Sequence, residues 1–244
     1  MRLSGKVALI VGAGGGMGSS VPYLFAREGA NVVLGARTQE PLETLAARIR
    51  PHLPQGSGQI GWATGDALTA AGCAGLISGA VDQFGKLDVL YCNVGDAAFR
   101  NRSIEEIDDE AWRYLIDVNL TSGFNLVRAA VPSLRATGGT VIIVAAAAVV
   151  RREASPGYAA AKAGLLALTT SLAKRLRPDG VRVNCICPGS IGASKGEEDF
   201  AEPATALARP PMPSDVGYAA VYFASNESAW VTGQFLEVEG GAGL

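Results

Sequence analysis

The sequence predicts an α/β fold built as a doubly wound parallel sheet with helices on both faces. Three observations carry that expectation. Seven short apolar runs, rich in β-branched residues, alternate with longer stretches whose apolar residues recur at helical spacing. The first run passes into a glycine-rich turn and then a helical pattern, as a buried strand feeding a helix does. The 244 residues hold no internal repeat, linker or low-complexity segment, which suits one domain, 1–244, around one core.

Lys6 to Val11 reads as the first strand. Helical periodicity then runs through Val21, Leu24 and Phe25 to Glu28 and stops at Gly29. Asn31 to Gly35 is the second strand, Glu40 to Ile49 a helix, and the Pro/Gly-rich stretch Pro51 to Gly58 a loop. Gln59 to Thr64 is a strand, Thr69 to Phe84 a helix closed by Gly85, and Leu87 to Cys92 a strand. Asp109 to Leu134 reads as one long helical region with Pro132 near its end, and Thr140 to Ala145 as the fifth strand. Ala161, Leu165, Leu168, Leu172 and Leu176 mark a helix from Ser155 to Leu176, closed by Pro178-Asp179-Gly180. Val181 to Cys187 is the sixth strand. Ile191 to Pro213 is rich in Pro, Ala and charge and has poor periodicity. Ser214 to Ala224 is a short helix with Ser214 as N-cap and Asp215 in its first turn, and Phe235 to Val238 is the last strand.

Composition narrows the function. A net charge of −2 and a pI near 5.5 leave no electrostatic footprint for nucleic acid or an anionic membrane. The N-terminus lacks a signal peptide's apolar region and cleavage site. The longest uncharged apolar run, Val141 to Val150, is too short to span a bilayer. A soluble cytoplasmic protein is expected. Cys185 and Cys187 alternate along one strand and read as buried small hydrophobes rather than a metal pair, since no Cys-x-x-Cys or histidine cluster accompanies them. The single histidine, His52, sits between prolines in a polar loop and is a poor candidate for a catalytic base.

The chemistry centres on Tyr158-Ala-Ala-Ala-Lys162. Residues four apart on a helix share a face, and an ammonium beside a phenol favours the phenolate. Such a tyrosine can exchange a proton with substrate near neutral pH. At the other end, the turn Gly12-Ala13-Gly14-Gly15-Gly16-Met17-Gly18 lies between a strand and a helix. Its glycines let backbone N–H groups approach a pyrophosphate at the positive end of the helix dipole. At the end of the second strand, Ala36 stands where an acid would select NAD(H), and Arg37 follows, with Thr38 beside it. A guanidinium fork suits a 2′-phosphate, so NADP(H) is favoured over NAD(H).

Together these residues resemble the short-chain dehydrogenase/reductase family over essentially the whole chain. Gly12, Gly16 and Gly18 match its glycine turn. Asp66, with Ala67 beside it, matches its adenine-contacting Asp. Cys92-Asn93-Val94-Gly95 stands where the family has Asn-Asn-Ala-Gly. Asn119 matches the tetrad Asn, and Tyr158 and Lys162 match the catalytic pair. Pro188-Gly189-Ser190-Ile191 matches the nicotinamide-contacting Pro-Gly-x-Ile. Val231-Thr232-Gly233-Gln234 and the closing Val238-Glu239-Gly240-Gly241 match the C-terminal strand region.

The resemblance implies a Rossmann-like fold with a seven-stranded parallel sheet. Tyr158 would transfer the proton, Lys162 would hydrogen-bond the nicotinamide ribose, and Asn119 would hold a relay water. The cofactor set is Gly12, Gly14, Gly15, Gly16, Met17, Gly18, Arg37, Thr38, Asp66, Ala67, Asn93, Val94, Gly95, Tyr158, Lys162, Pro188, Gly189 and Ile191. A substrate loop at 192–213, a small-molecule substrate and a homotetramer or homodimer follow from the same likeness.

One motif departs. The family's catalytic Ser, twelve or thirteen residues before the Tyr, falls on Ala145 or Ala146, and Ala147 and Ala148 follow. Losing one positioned donor to a developing oxyanion costs on the order of 10²–10³ in rate. Ser155 is a candidate substitute, or the substrate orients itself through other groups. The Thr usually found after Pro-Gly-x-Ile is here Ala193, with Ser194 next to it. Arg151 and Arg152 border the expected substrate pocket, as anion ligands or as solvated residues. The expected activity is an NADP(H)-dependent carbonyl–alcohol oxidoreductase. The alternatives are a non-catalytic or weakly active nucleotide-binding protein, and a lyase or dehydratase using the same proton site.

Overall fold

A computed structural model describes residues 1–13, 19–99, 102–191, 200, 207 and 209–243. Seven parallel strands form one sheet in the order β3-β2-β1-β4-β5-β6-β7. They are β1 Val7–Val11, β2 Asn31–Ala36, β3 Ile60–Thr64, β4 Val89–Cys92, β5 Thr140–Val144, β6 Arg182–Pro188 and β7 Phe235–Val238. The helices are α1 Ser20–Arg27, α2 Glu40–Ile49, α3 Ala70–Phe84, α4 Asp109–Ile116, α5 Ser122–Thr137, α6 Ala148–Glu153, α7 Pro156–Leu176 and α8 Pro213–Ala224.

Strand alternation sorts the core into two layers. Ala8 and Ile10 of β1, with Val32, Leu34, Ile142 and Ile186, face α1, α2 and α8. Leu9 and Val11, with Val33, Leu90, Ile143 and Cys185, face α3, α5 and α7. Both faces are thus covered, which is why β1 and β5 are buried along their whole length rather than on alternate residues. The strand order reverses at β1 and β4, so the C-terminal ends of these two strands diverge into a crevice.

Helix boundaries follow local chemistry. The Thr69 hydroxyl accepts from Gly72 N at 3.0 Å and caps α3, which ends at Gly85 with φ +80°. Three expectations are corrected. The region expected as one helix from Asp109 to Leu134 is interrupted by a π turn, Asp117–Thr121, and continues through Pro132 to Thr137. Ser214 is not the N-cap of α8: Pro213 is already its first residue and Met212 caps it, because proline is preorganised for that position. Asp215 accepts from Met212 N at 2.9 Å, while Ser214 is buried with no hydrogen-bond partner for its Oγ among the described residues. Finally, α6 was not expected: Ala148 to Val150 read as the exit of an apolar strand, but Ala148–Glu153 form a short helix in contact with α7.

Among the described residues, no helix is long and apolar enough to cross a membrane. His52 is exposed, and its ring lies 4.6 Å from that of Phe200. Cys185 and Cys187 are buried on one face of β6 with their Sγ atoms 3.9 Å apart.

Candidate active site

A cleft of about 560 Å³ opens outside the C-terminal ends of β1, β2, β4 and β5. Its floor begins at Gly12, with φ +89°, where a Cβ would overlap the Asn93 carbonyl. Asn93 in turn donates from Nδ2 to Gly12 O at 3.2 Å, tying the β1 exit to the β4 exit.

Gly95 forms the next part of the floor. A Cβ there would lie 2.8 Å from Asn119 Oδ1 and 3.0 Å from Lys162 Nζ, so only glycine lets the chain pass between them. Asn119 sits in the π turn, 1% exposed. Its Nδ2 donates to Asp96 O at 2.9 Å and Leu115 O at 3.0 Å, and its Oδ1 accepts from Asp96 N at 3.1 Å. Both amide hydrogens are therefore spent on the protein itself. The Asn119 side chain positions the β4 exit, and the proton-relay water expected at this residue gains no support from its amide.

Tyr158 and Lys162 share one face of α7 and both line the cleft. Lys162 is buried. Its Nζ donates to Val144 O at 3.1 Å and lies 5.6 Å from the centre of the Tyr158 ring. Burial pulls the ammonium down to about 8, with the neighbouring thiols Cys185 and Cys187 acting weakly in the opposite direction. Ala145 lines the cleft beside this pair, so the β5 exit presents a methyl group to the space next to the phenol.

At the opposite end, Arg37 is exposed and lines the cleft at the end of β2. Asp66 and Ala67 line it as well, and the Asp66 carboxylate accepts from Leu68 N at 2.9 Å to shape the turn before α3. Asn93 and Val94 complete the expected residues found there.

Others stand elsewhere. Thr38 is exposed and is not a cleft-lining residue. Pro188, Gly189 and Ile191 lie at the β6 exit, outside the lining. Pro188 O accepts from Ala147 N at 2.8 Å, and Gly189 N donates to Val238 O at 2.9 Å. Gly14, Gly15, Gly16, Met17 and Gly18 lie outside the described residues, as do Ala193, Ser194 and most of 192–213. Ser155 is 3% exposed, its Oγ has no hydrogen-bond partner among the described residues, and it does not line the cleft. Arg151 points inward, donating to the Ala146 carbonyl, and neither it nor Arg152 lines the cleft.

Asp96, Tyr114 and Val118 also line the cleft and were not among the expected residues. Tyr114 and Val118 are four apart on the helical run leading to Asn119, and that spacing is the signal that could have found them.

The residues present fit a dinucleotide. The cleft lies where an open parallel sheet binds one, glycines hold its floor close, and cationic residues stand at both ends.

Comparison with known proteins agrees. Residues 6–203 match the sequence profile described as short chain dehydrogenase. The chain is 34% identical over 250 residues to the 3-oxoacyl-acyl-carrier-protein reductase FabG of Thermotoga maritima, covering 99% of each. It is 34% identical over 256 residues to trans-4-hydroxycyclohexanecarboxylate dehydrogenase of Sinomonas cyclohexanicum, covering 98% of this chain and 93% of that one. The solved short-chain type dehydrogenase/reductase of Mycobacterium marinum superposes with a TM-score of 0.84 at 27% identity, over 98% of this chain and 96% of that one.

Proposed function

The chain belongs to the short-chain dehydrogenase/reductase family, and from that premise we propose that it interconverts a carbonyl and an alcohol on a small organic substrate, with NADP(H) in preference to NAD(H). The observation that carries this reading is the placing of Tyr158 and Lys162 at one end of a cleft whose other end holds Arg37. The cofactor, when bound, supplies or accepts the hydride. Tyr158 gives a proton to the substrate oxygen in reduction and takes it back in oxidation. Lys162, held by Val144 O, presents its remaining N–H donors to the cleft and orients the ribose nearest the phenol. Arg37 pairs with the 2′-phosphate.

Ala145 favours a second reading of the same site. With a methyl where a family member has its Ser hydroxyl, turnover is slow, and nucleotide binding persists in a protein that reduces few carbonyls. A panel of ketones and alcohols followed at the nicotinamide absorbance separates the two. The first reading expects turnover that Tyr158→Phe lowers by about 10²–10⁴; turnover unchanged in Tyr158→Phe would remove it.

We further expect a homo-oligomer in the cytoplasm. Trp230 is 95% exposed, and Phe235 and Leu236 of the edge strand β7 are exposed as well, an apolar surface that a second copy would cover. Light scattering that shows a monomer at assay concentration would count against this.

A further inference from the structure

Asp96 and Tyr114 belong neither to the glycine turn nor to the Tyr–Lys pair, yet both line the cleft. Four hydrogen bonds fix Asp96. Asn119 clamps its backbone N–H and C=O, at 3.1 and 2.9 Å. Ala98 N donates to Oδ1 at 3.0 Å, and the Tyr114 hydroxyl donates to Oδ2 at 2.6 Å. Tyr114 is braced in turn by the edge of the Phe99 ring, 6.2 Å between centroids, and Arg102 stacks on Phe99 at 4.6 Å. Phe99 has φ +61°, a left-handed conformation that is strained for a residue other than glycine. A strained backbone thus helps hold one carboxylate at the mouth of the cleft.

The position of that carboxylate matters because of Arg37. β2 and β4 flank β1, so the strands that lead to Arg37 and Asp96 lie two apart, roughly 10 Å at the usual spacing. They enter the same cleft from either side of Gly12. The Tyr114 hydroxyl is pushed above the usual phenol range, chiefly by its hydrogen bond to Asp96, and Arg37 acts on it in the opposite direction.

We infer that Asp96 is a second cofactor-specificity residue that opposes Arg37: its fixed carboxylate disfavours a 2′-phosphate dianion in the cleft relative to a plain ribose diol. This rests on the cleft holding a nicotinamide dinucleotide with Arg37 at the 2′ position. Arg37 sets the preference for NADP(H), and Asp96 limits it.

The test is direct titration of the wild-type protein, Asp96→Asn, Asp96→Ser, Tyr114→Phe and Arg37→Ala with NADPH and with NADH, read by calorimetry at low and high salt. Asn keeps the size of Asp and an acceptor for Ala98 N. Ser keeps only a short hydroxyl, and gives the answer if Asn does not fold. Removing one negative charge from the cleft that holds the dianion is expected to tighten NADPH by about 3–10-fold and NADH by less than about 2-fold. High salt shrinks the gain, and Arg37→Ala moves the NADPH:NADH ratio the other way. Tyr114→Phe keeps the charge and leaves the ratio within about 2-fold.

An unchanged ratio in both Asp96 variants, or an equal weakening of both dinucleotides, overturns the inference and leaves Asp96 as a loop anchor. A Tyr114→Phe shift as large as that of Asp96→Asn also overturns it, because the effect then lies in the tether and not in the charge. If the wild-type protein binds neither dinucleotide, the reading beneath falls and takes the inference with it. If it binds both and Arg37→Ala alone changes the ratio, only the inference falls.

Discussion

The exits of β4 and β5 are neighbouring strand ends on one cleft, and they are built in opposite ways. The β4 exit, Asn93 to Asp96, is stitched by side chains: Asn93 to Gly12, Asn119 to both sides of Asp96, and Tyr114 to the Asp96 carboxylate. The β5 exit, Ala145 to Ala148, has no polar side chain of its own. Backbone bonds hold it, from Ala145 N to Ile186 O at 2.9 Å and from Ala147 N to Pro188 O at 2.8 Å, and Ala148 N donates to Glu237 at 3.1 Å. One exit is held by its own polar side chains, the other by its backbone and by side chains from elsewhere, Glu237 and Arg151. A hydrogen-bonded exit fixes where a ligand's atoms must go; an alanine exit leaves room without supplying a donor.

The largest effect is expected where the β4 exit is tightest. In Gly95→Ala the new methyl falls between Asn119 Oδ1 and Lys162 Nζ, so dinucleotide affinity and kcat/KM should drop by at least about 10², with a loss of about 1–3 kcal/mol in stability. Full activity and an unchanged Tm in that variant would show that the exit is not held as described.

Ala145→Ser tests the opposite exit. If that methyl occupies the place of the missing hydroxyl, restoring it should raise kcat by about 10–10³. No gain on any substrate that the wild-type protein turns over would put the donor elsewhere.

Lys162 joins the two exits, since it donates to Val144 O and abuts Gly95. Burial holds its ammonium at about 8, against 10.5 for a free lysine. Between those values the unfolded chain binds more protons than the folded one, so stability rises with pH across that window, while below about 8 the full cost is present. The cost is on the order of 3 kcal/mol. Lys162→Met should therefore abolish turnover, raise stability at neutral pH by about 1–3 kcal/mol, and flatten the alkaline rise in denaturant titrations. A destabilised Lys162→Met would mean that the Val144 bond outweighs the desolvation.

The smallest effect lies inside β4. The Tyr91 hydroxyl is fully buried with no hydrogen-bond partner among the described residues, and burial pushes it well above the usual phenol range. Tyr91→Phe should be neutral or stabilising by about 1 kcal/mol in urea titrations. A loss of more than that would reveal a partner for the hydroxyl and extend the polar stitching into the core.

The facing of Tyr158 with Lys162 was legible because a helix places residues four apart on one face whatever surrounds it, and both do line the cleft. Gly95 was legible as part of a family-like motif, but the reason for it, Asn119 and Lys162 pressing from either side, was not. Arg151 and Ser155 were left open because their sequence positions border the expected pocket. Arg151 turns to the Ala146 carbonyl and Ser155 is buried away from the lining, and those choices depend on neighbours in space. The single helix expected over 109–134 failed at the π turn, where Asn119 bonds to Asp96, 23 residues away.

By itself, the sequence determined the alternation of strands and helices, the two-sided burial of the sheet, the glycines of the floor and the facing of Tyr158 with Lys162. Each of these rests on a period or a backbone freedom that acts over a few residues. The tertiary structure alone decided the strand order that opens the crevice, the capture of Asp96 by Tyr114 and Asn119, and the depression of the Lys162 ammonium. Those depend on which distant groups pack together and how much water they exclude, and no local pattern encodes either.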